Sequence, residues 1–123
     1  MSILSSTKTG KKAFFLYPKN KYELITMIEK EIKEKGNKCS LNHIDTSKIE
    51  NMSWLFSKVG YSFHDFDGDI SKWDVSNVKQ MEYMFERSSF KGDISNWKIN
   101  PFCSTYRMFS DCKIKDEYKP KDL

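Results

Sequence analysis

The segment Asp65–Asp69 carries three carboxylates around Gly68, the residue types that bind calcium. An EF-hand loop places its glycine at position 6 and a bidentate Glu at position 12. Counted from the start of this segment, the glycine stands at position 4 and Ser76 at position 12. The spacing therefore favours a structural role, in which Asp69 and the corresponding Asp93 each cap a turn. We predict no metal ion and no cofactor.

Cysteine and histidine offer the other chemistry that could be present. Cys39 and His43 are four residues apart, but Cys103, Cys112 and His64 are too far away in sequence to complete a zinc motif. The chain has no nucleophile elbow, no phosphate-binding loop and no dinucleotide fingerprint. Neither histidine has the sequence setting of a general base. We therefore predict that the protein is not an enzyme.

The three cysteines are odd in number and widely spaced, which is typical of free thiols rather than a secreted disulfide scaffold. The first residues, Met1–Lys8, lack the basic start and apolar core of a signal peptide. No window approaches the ~18 consecutive apolar residues of a membrane span. These features predict a cytoplasmic protein.

An internal repeat positions most of the bulky side chains. Ser89–Trp97 repeats Asp65–Trp73 at a distance of 24 residues. A third, degenerate copy over residues 41–56 aligns with residues 70–85 at a distance of 29, so five extra residues lie between Phe56 and Phe66. Recurrence at such a period indicates stacked units that share one core. The recurring Trp, Met and Phe residues are therefore assigned to that core.

The coarse secondary structure follows from local patterns. The apolar run Ala13–Tyr17 predicts a strand. A helix should begin after Asn20, a potential N-cap with Glu23 three residues on, and end at Gly36. Within each repeat the sequence predicts a short strand around residues 73–78 and a short helix over residues 78–86, with equivalents in the other copies.

Residues 68–85, with the pattern Gly-Asp-Ile-Ser-x-Trp-Asp-Val-Ser-Asn-Val-x-x-Met-x-x-Met-Phe, resemble the BspA-type leucine-rich-repeat surface proteins of bacteria and their mobile elements. Residues 92–109 and 41–56 match in part. The resemblance implies an α/β fold: a short leucine-rich-repeat-like solenoid of strand–helix units. The predicted organisation is a mobile basic arm (1–12), a strand–helix cap (13–40), a three-repeat solenoid (41–112) and a polar tail (113–123).

Function is expected where the period breaks. Insertions in repeat proteins commonly lie on the binding face, and Trp and Tyr are favoured interface anchors. The predicted partner-binding residues are non-periodic aromatics with their polar neighbours: Trp54, Lys58, Tyr61, Phe63 and His64.

The net charge of +4 is concentrated at the N-terminus, where residues 1–40 carry nine Lys against four Glu. A possible contact with nucleic acid or an acidic partner involves five of these lysines: Lys8, Lys11, Lys12, Lys19 and Lys21. All nine basic residues of this region are Lys with no Arg, and several of the nine alternate with Glu, which favours a solvated surface instead.

The size, the capping and the absence of an export signal predict a non-catalytic binding protein. It would be a small intracellular inhibitor, from a phage or mobile element, of a host protein such as a CRISPR effector or its ribonucleoprotein. The alternatives are a fragment of a surface adhesin and a basic protein that binds nucleic acid or ribonucleoprotein.

Overall fold

The computed structural model describes residues 2–6 and 13–123, and the regular elements in this part lie near its two ends. Strand β1 (Ser2–Ser6) pairs antiparallel with strand β2 (Ala13–Tyr17), with Ser2 opposite Tyr17. Helix α1 spans Lys21–Lys35, and a single 3-10 turn spans Asp116–Tyr118. The strand predicted over Ala13–Tyr17 is confirmed. Residues 1 and 7–12 of the predicted basic arm lie outside the described residues.

Helix α1 begins and ends where its capping residues predict. The Asn20 side chain accepts a hydrogen bond from the Glu23 backbone N–H at 3.0 Å, which satisfies one of the unpaired donors of the first turn. Gly36 follows the last turn with φ of 88°, a conformation that side chains disfavour, and its N–H donates to Ile32. Leu24 and Ile28 are fully buried on the inner face of the helix.

The predicted solenoid of strand–helix units is wrong. Among the described residues, α1 is the only α-helix, and the repeat region contains isolated parallel bridges such as Ser40 with Asp69 and Asn51 with Gln80. Tyr83, in the middle of the predicted helix 78–86, has φ of 56°, which an α-helix cannot accommodate. The repeat is built from turns, because N–H groups that a helix would use internally donate to the next copy instead.

The three copies contact one another through three equivalent turn segments, called here layer 1 (residues 52–58), layer 2 (81–87) and layer 3 (105–111). Alternate N–H groups of layer 1 donate to carbonyls of layer 2, for example Phe56 to Met84 at 2.8 Å. Layer 2 donates to layer 3 in the same way, for example Phe85 to Met108 at 2.9 Å. This ladder fixes the register of the copies to one another.

Equivalent aromatic rings stack through the core. Phe56, Phe85 and Phe109 form one stack, with centroid spacings of 5.5 Å and interplanar angles of 6° and 3°. Trp73 and Trp97 form a second, parallel arrangement, at 6.4 Å and 8°. The prediction that the periodic aromatic residues form a shared core is confirmed, because most of them are buried.

Polar groups at the copy boundaries are satisfied in a repeated manner. The buried indole N–H groups of Trp73 and Trp97 donate to the carbonyls of the preceding copy, at 2.8 and 3.0 Å. Asp69 and Asp93 each accept the N–H two residues on, at 2.9 Å, which confirms their predicted role as turn caps. Gly68 lies directly against the Cys39 carbonyl, where a Cβ atom would clash.

No helix among the described residues combines the length and the apolar character that crossing a membrane requires.

Candidate protein-binding face

Three aromatic side chains form a column on the outside of the layers, and we call Trp54, Tyr83 and Tyr106 the aromatic column. The Trp54 and Tyr83 rings stack with centroids 4.1 Å apart and an interplanar angle of 11°. Tyr106 meets Tyr83 edge to face at 5.6 Å and is 57% exposed. Trp54 and Tyr83 are each half-buried, so their outer edges face solvent. The column is therefore an ordered apolar strip across the three layers.

The backbone that carries this column is left-handed at one equivalent position in each layer. The φ angles are 63° at Trp54, 56° at Tyr83 and 48° at Arg107. Glycine and asparagine adopt this region readily, whereas large side chains do so at a cost of about 1–3 kcal/mol each. Three bulky residues are thus held in a strained conformation by the hydrogen bonds between the layers.

The strain of the left-handed positions offsets part of the stability that the stacked rings provide. An aromatic pair contributes about 0.5–1.5 kcal/mol beyond the area it buries. The cost of the left-handed positions is of the same size or larger. The area that Trp54 and Tyr83 bury adds to the stacking, so the strain reduces the net stability that the rings provide without cancelling it.

The insertion after layer 1 borders one end of the column. The Lys21 ammonium of helix α1 donates to the Ser53 carbonyl at 2.7 Å and lies 5.4 Å from the centroid of the Tyr61 ring. Tyr61 is 36% exposed. Because Ser53 directly precedes Trp54, the lysine links the helix, the insertion and the column into one surface.

The predicted partner-binding residues do not all lie on this surface. The structure corrects the prediction for Phe63. Its side chain is only 3% exposed and its ring centroid lies 6.5 Å from that of Phe56, so Phe63 belongs to the core. His64 directs Nε2 toward Asp65 at 3.6 Å, and its buried Nδ1 has no hydrogen-bond partner among the described residues. Lys58 is exposed at the far end of layer 1 from Trp54.

The N-terminal lysines divide into two groups. Lys8, Lys11 and Lys12 lie outside the described residues. Lys19 is exposed beside the start of α1, and its N–H donates to the Glu23 carboxylate at 3.0 Å. The Lys21 ammonium donates a hydrogen bond to the Ser53 carbonyl, so it joins helix α1 to the first copy of the repeat.

The described residues include no cluster of three or more His, Cys, Asp or Glu that could hold a metal ion. The three cysteines are free thiols. Burial raises the pKa of Cys39 and Cys112, and burial together with the Glu82 charge raises the pKa of Cys103 to about 11. At neutral pH all three remain protonated, which is the unreactive form.

Comparison with known protein families gives one match. Residues 23–118 match the family described as "Mycoplasma protein of unknown function, DUF285". The chain belongs to this family. No curated protein and no solved structure matches it. The DUF285 match includes helix α1 from its third residue, all three layers and the whole aromatic column.

Sequence reasoning found Trp54 but missed the other members of the column. Tyr83 of the DUF285 chain occupies the position 29 residues after Trp54, so the repeat itself carried the signal. Tyr106 is one residue away from the position 24 residues after Tyr83, which Arg107 occupies. The offset hides Tyr106 from a search at the repeat period, and the structure shows that its ring nevertheless meets Tyr83.

Proposed function

We propose that this protein binds another protein without catalysing a reaction, and that the aromatic column is its principal contact. The observation that carries the proposal is the set of partly exposed, stacked rings at Trp54 and Tyr83, both held on left-handed backbone. Tyr and Trp contribute large contact areas with few rotatable bonds, and they are enriched among the residues that dominate binding energy.

A protein partner suits this column better than a single-stranded nucleic acid. Nucleic-acid bases bind by stacking on an open aromatic face. Trp54 and Tyr83 cover each other's inner faces at 4.1 Å, so no base can enter between them. What the column offers is a row of ring edges beside the Tyr106 ring, a shape that suits apolar side chains of a folded partner.

A mechanism without catalysis is supported by the state of the reactive groups. The raised pKa values of the thiols keep them protonated at neutral pH. Binding would then act sterically, by covering a surface that the partner needs.

The steric reading favours an inhibitor that acts inside a cell on a host protein, with a CRISPR effector or its ribonucleoprotein as a defined candidate partner. Three free thiols suit a reducing compartment. The resemblance to BspA-type surface proteins supports the alternative, an adhesin fragment that would use the same column outside the cell. Both readings require a protein partner.

The test is a comparison of proteins captured from a lysate by the wild-type chain and by Trp54→Asn/Tyr83→Asn. Asn removes the rings while tolerating the left-handed backbone. The matched control is Tyr22→Asn, because Tyr22 is an 83% exposed aromatic residue on α1 outside the column. In a second capture experiment, a purified CRISPR effector ribonucleoprotein replaces the lysate as a defined candidate partner.

We expect the double variant to capture at least ten-fold less of the partner than the wild-type chain, measured by quantitative mass spectrometry. The Tyr22→Asn control should capture as much as the wild-type chain. Folding of each variant is checked by its thermal transition. A folded double variant that captures the same proteins in the same amounts would contradict the proposal.

A further inference from the structure

Within the layers, the backbone hydrogen bonds between copies run in one direction. Four alternate N–H groups of layer 1 donate to the second copy, three to carbonyls of layer 2 and one to the Gln80 carbonyl just before it, at N···O distances of 2.8 to 3.1 Å. The equivalent four of layer 2 donate to the third copy, three to carbonyls of layer 3 and one to the Ser104 carbonyl just before it, at 2.8 to 3.0 Å. These donors are, in layer 1, Met52, Trp54, Phe56 and Lys58, and in layer 2, Met81, Tyr83, Phe85 and Arg87.

Layer 3 repeats these donors with nothing to receive them. Its equivalent N–H groups belong to Thr105, Arg107, Phe109 and Asp111, and none has a hydrogen-bond acceptor within residues 2–6 and 13–123. Its backbone has the same conformation as layer 2, since φ is 48° at Arg107 and 53° at Asp111. We call these four groups the donor edge. Such a row of unpaired donors is a template for another chain.

At the opposite end of the ladder, one layer 1 carbonyl is capped by a side chain. The Ser53 carbonyl of layer 1 is equivalent to the Glu82 and Tyr106 carbonyls, which accept N–H groups from the preceding layer. With no preceding layer, Ser53 accepts from the Lys21 ammonium instead. Two copies of this chain that met through their donor edges would place N–H against N–H. The occupant of this edge must therefore present backbone acceptors.

The surroundings of the donor edge specify the charge of that chain. A cavity of about 410 Å³ beside it is lined by four cations and one carboxylate. The cations are Lys58, Arg87, Lys91 and Lys113, and the carboxylate is Asp111. Arg87 is already paired, at 3.2 Å with Glu86 and at 3.9 Å with Asp111, so the three lysines are the cations that a partner would meet. Arg107 adds an exposed cation on layer 3 itself. A segment with several Asp or Glu residues complements this surface.

We propose that the donor edge binds an acidic segment of a partner protein. The segment runs along layer 3, its backbone carbonyls accept from the four free N–H groups, and its carboxylates contact Arg107 and the cations of the adjacent cavity. This inference rests on the proposed protein-binding function and names the chemistry of the partner. The two internal junctions support this proposal, because the equivalent N–H groups of layers 1 and 2 form eight such bonds inside the chain.

The probe is a set of 12-residue peptides selected from a random phage-displayed library on the full chain and then synthesised. We expect the selected peptides to be rich in Asp and Glu. On binding, amide hydrogen exchange measured by NMR should slow at least ten-fold at the four donor-edge N–H groups. Before binding, these groups should exchange faster than the equivalent groups of layer 2, which are already hydrogen-bonded.

Charge reversal provides the second measurement. Arg107→Glu/Lys113→Glu should weaken peptide binding at least ten-fold, whereas Lys30→Glu/Lys33→Glu, which applies the same charge change to exposed positions of α1, should leave it within two-fold. All four positions are exposed, so the variants should fold, and a thermal melt verifies this.

Selection of no acidic peptide would overturn the proposal, and so would bound peptides that leave exchange at the donor edge unchanged. These failures are distinguishable from failure of the proposed function. If Arg107→Glu/Lys113→Glu captures the same partner as wild type while Trp54→Asn/Tyr83→Asn loses it, the aromatic column binds the partner and the donor edge does not.

Discussion

At the scale of single residues, the left-handed backbone at Trp54 and Tyr83 determines where their rings lie. With φ near 60°, each side chain leaves its layer on the outside, and the two rings meet face to face at 4.1 Å. The same conformation at Arg107 brings a cation to within 5.4 Å of the Tyr106 ring. A strained position and a partly exposed ring coincide at Trp54 and Tyr83, whereas the third ring of the column, Tyr106, directly precedes the strained Arg107.

We predict that Tyr83→Asn lowers the free energy of unfolding by less than a core substitution does, because relief of about 1–3 kcal/mol of backbone strain offsets part of the lost stacking and burial. Urea titration followed by far-UV circular dichroism measures this difference. The control is Met84→Asn, one residue along at a fully buried site, which should cost several kcal/mol. A Tyr83→Asn variant as unstable as Met84→Asn would show that the ring is structural.

Cys103 should react slowly with iodoacetamide at pH 7 to 8. Burial and the Glu82 charge raise its pKa to about 11, so its thiolate forms only in strongly alkaline solution. Peptide mass spectrometry of the alkylated chain gives the rate at each pH, with a short cysteine peptide as the reference. A reactivity midpoint for Cys103 near pH 8.5, the value of an exposed thiol, would contradict this assignment.

At the scale of elements, helix α1 is held on the repeats by polar contacts as well as by its apolar face. Glu31 is 7% exposed, and it accepts hydrogen bonds from Lys35 of the same helix and from His43 of the first copy, both at 2.8 Å. Burial raises the pKa of Glu31, but the hydrogen bonds and charges of Lys35 and His43 outweigh it, so this pKa lies below its ordinary value.

A lowered pKa in the folded state means that the Glu31 carboxylate stabilises the fold above its unfolded pKa of about 4.3 and ceases to do so as the pH falls through the folded value. Glu31→Gln should therefore lower the free energy of unfolding by about 1–3 kcal/mol at pH 7. The difference from wild type should shrink below about pH 4. Urea titrations at pH 7, 5 and 3.5 test this, and a difference that stays constant with pH would refute it.

The sequence predicted the elements whose signals are local. Asn20 and Gly36 mark the ends of α1 by capping chemistry, which acts within a few residues. The prediction of helices inside the repeats was wrong because its signal was ambiguous. Apolar residues at every third position, here Val78, Met81 and Met84, can be buried by a series of tight turns as well as by a helix. The choice between helix and turn was made by hydrogen bonds between copies, and single-copy patterns carry no trace of those bonds.

At the scale of the whole molecule, the repeat builds one continuous core from equivalent rings. Phe85 lies at the centre of the longest stack, fully buried between Phe56 and Phe109. The repeat period alone predicted this shared core. The ladder that leaves layer 3 with a donor edge depends on backbone geometry, so the sequence could not have revealed it.

We predict that Phe85→Ala lowers the free energy of unfolding by about 3–5 kcal/mol, because it removes contacts on both ring faces and leaves a cavity. Phe102→Ala is the matched control, since Phe102 is 89% exposed and should change stability by less than about 0.5 kcal/mol. Urea unfolding of both variants measures the difference. Equal effects of the two substitutions would show that the stack does not hold the copies together.

The central claim, that the aromatic column contacts a protein partner, is tested most directly by tryptophan fluorescence. The chain has three tryptophans, and Trp73 and Trp97 are only 3% and 2% exposed, so Trp54 should account for the emission that acrylamide quenches. Trp54→Phe should abolish most of that quenching in the free protein. The captured partner is then added to the wild-type chain, and the partner's own emission is subtracted from the measured signal. The account predicts that acrylamide quenching of Trp54 falls to the level of the buried tryptophans. Unchanged quenching of Trp54 in a saturated complex would contradict it.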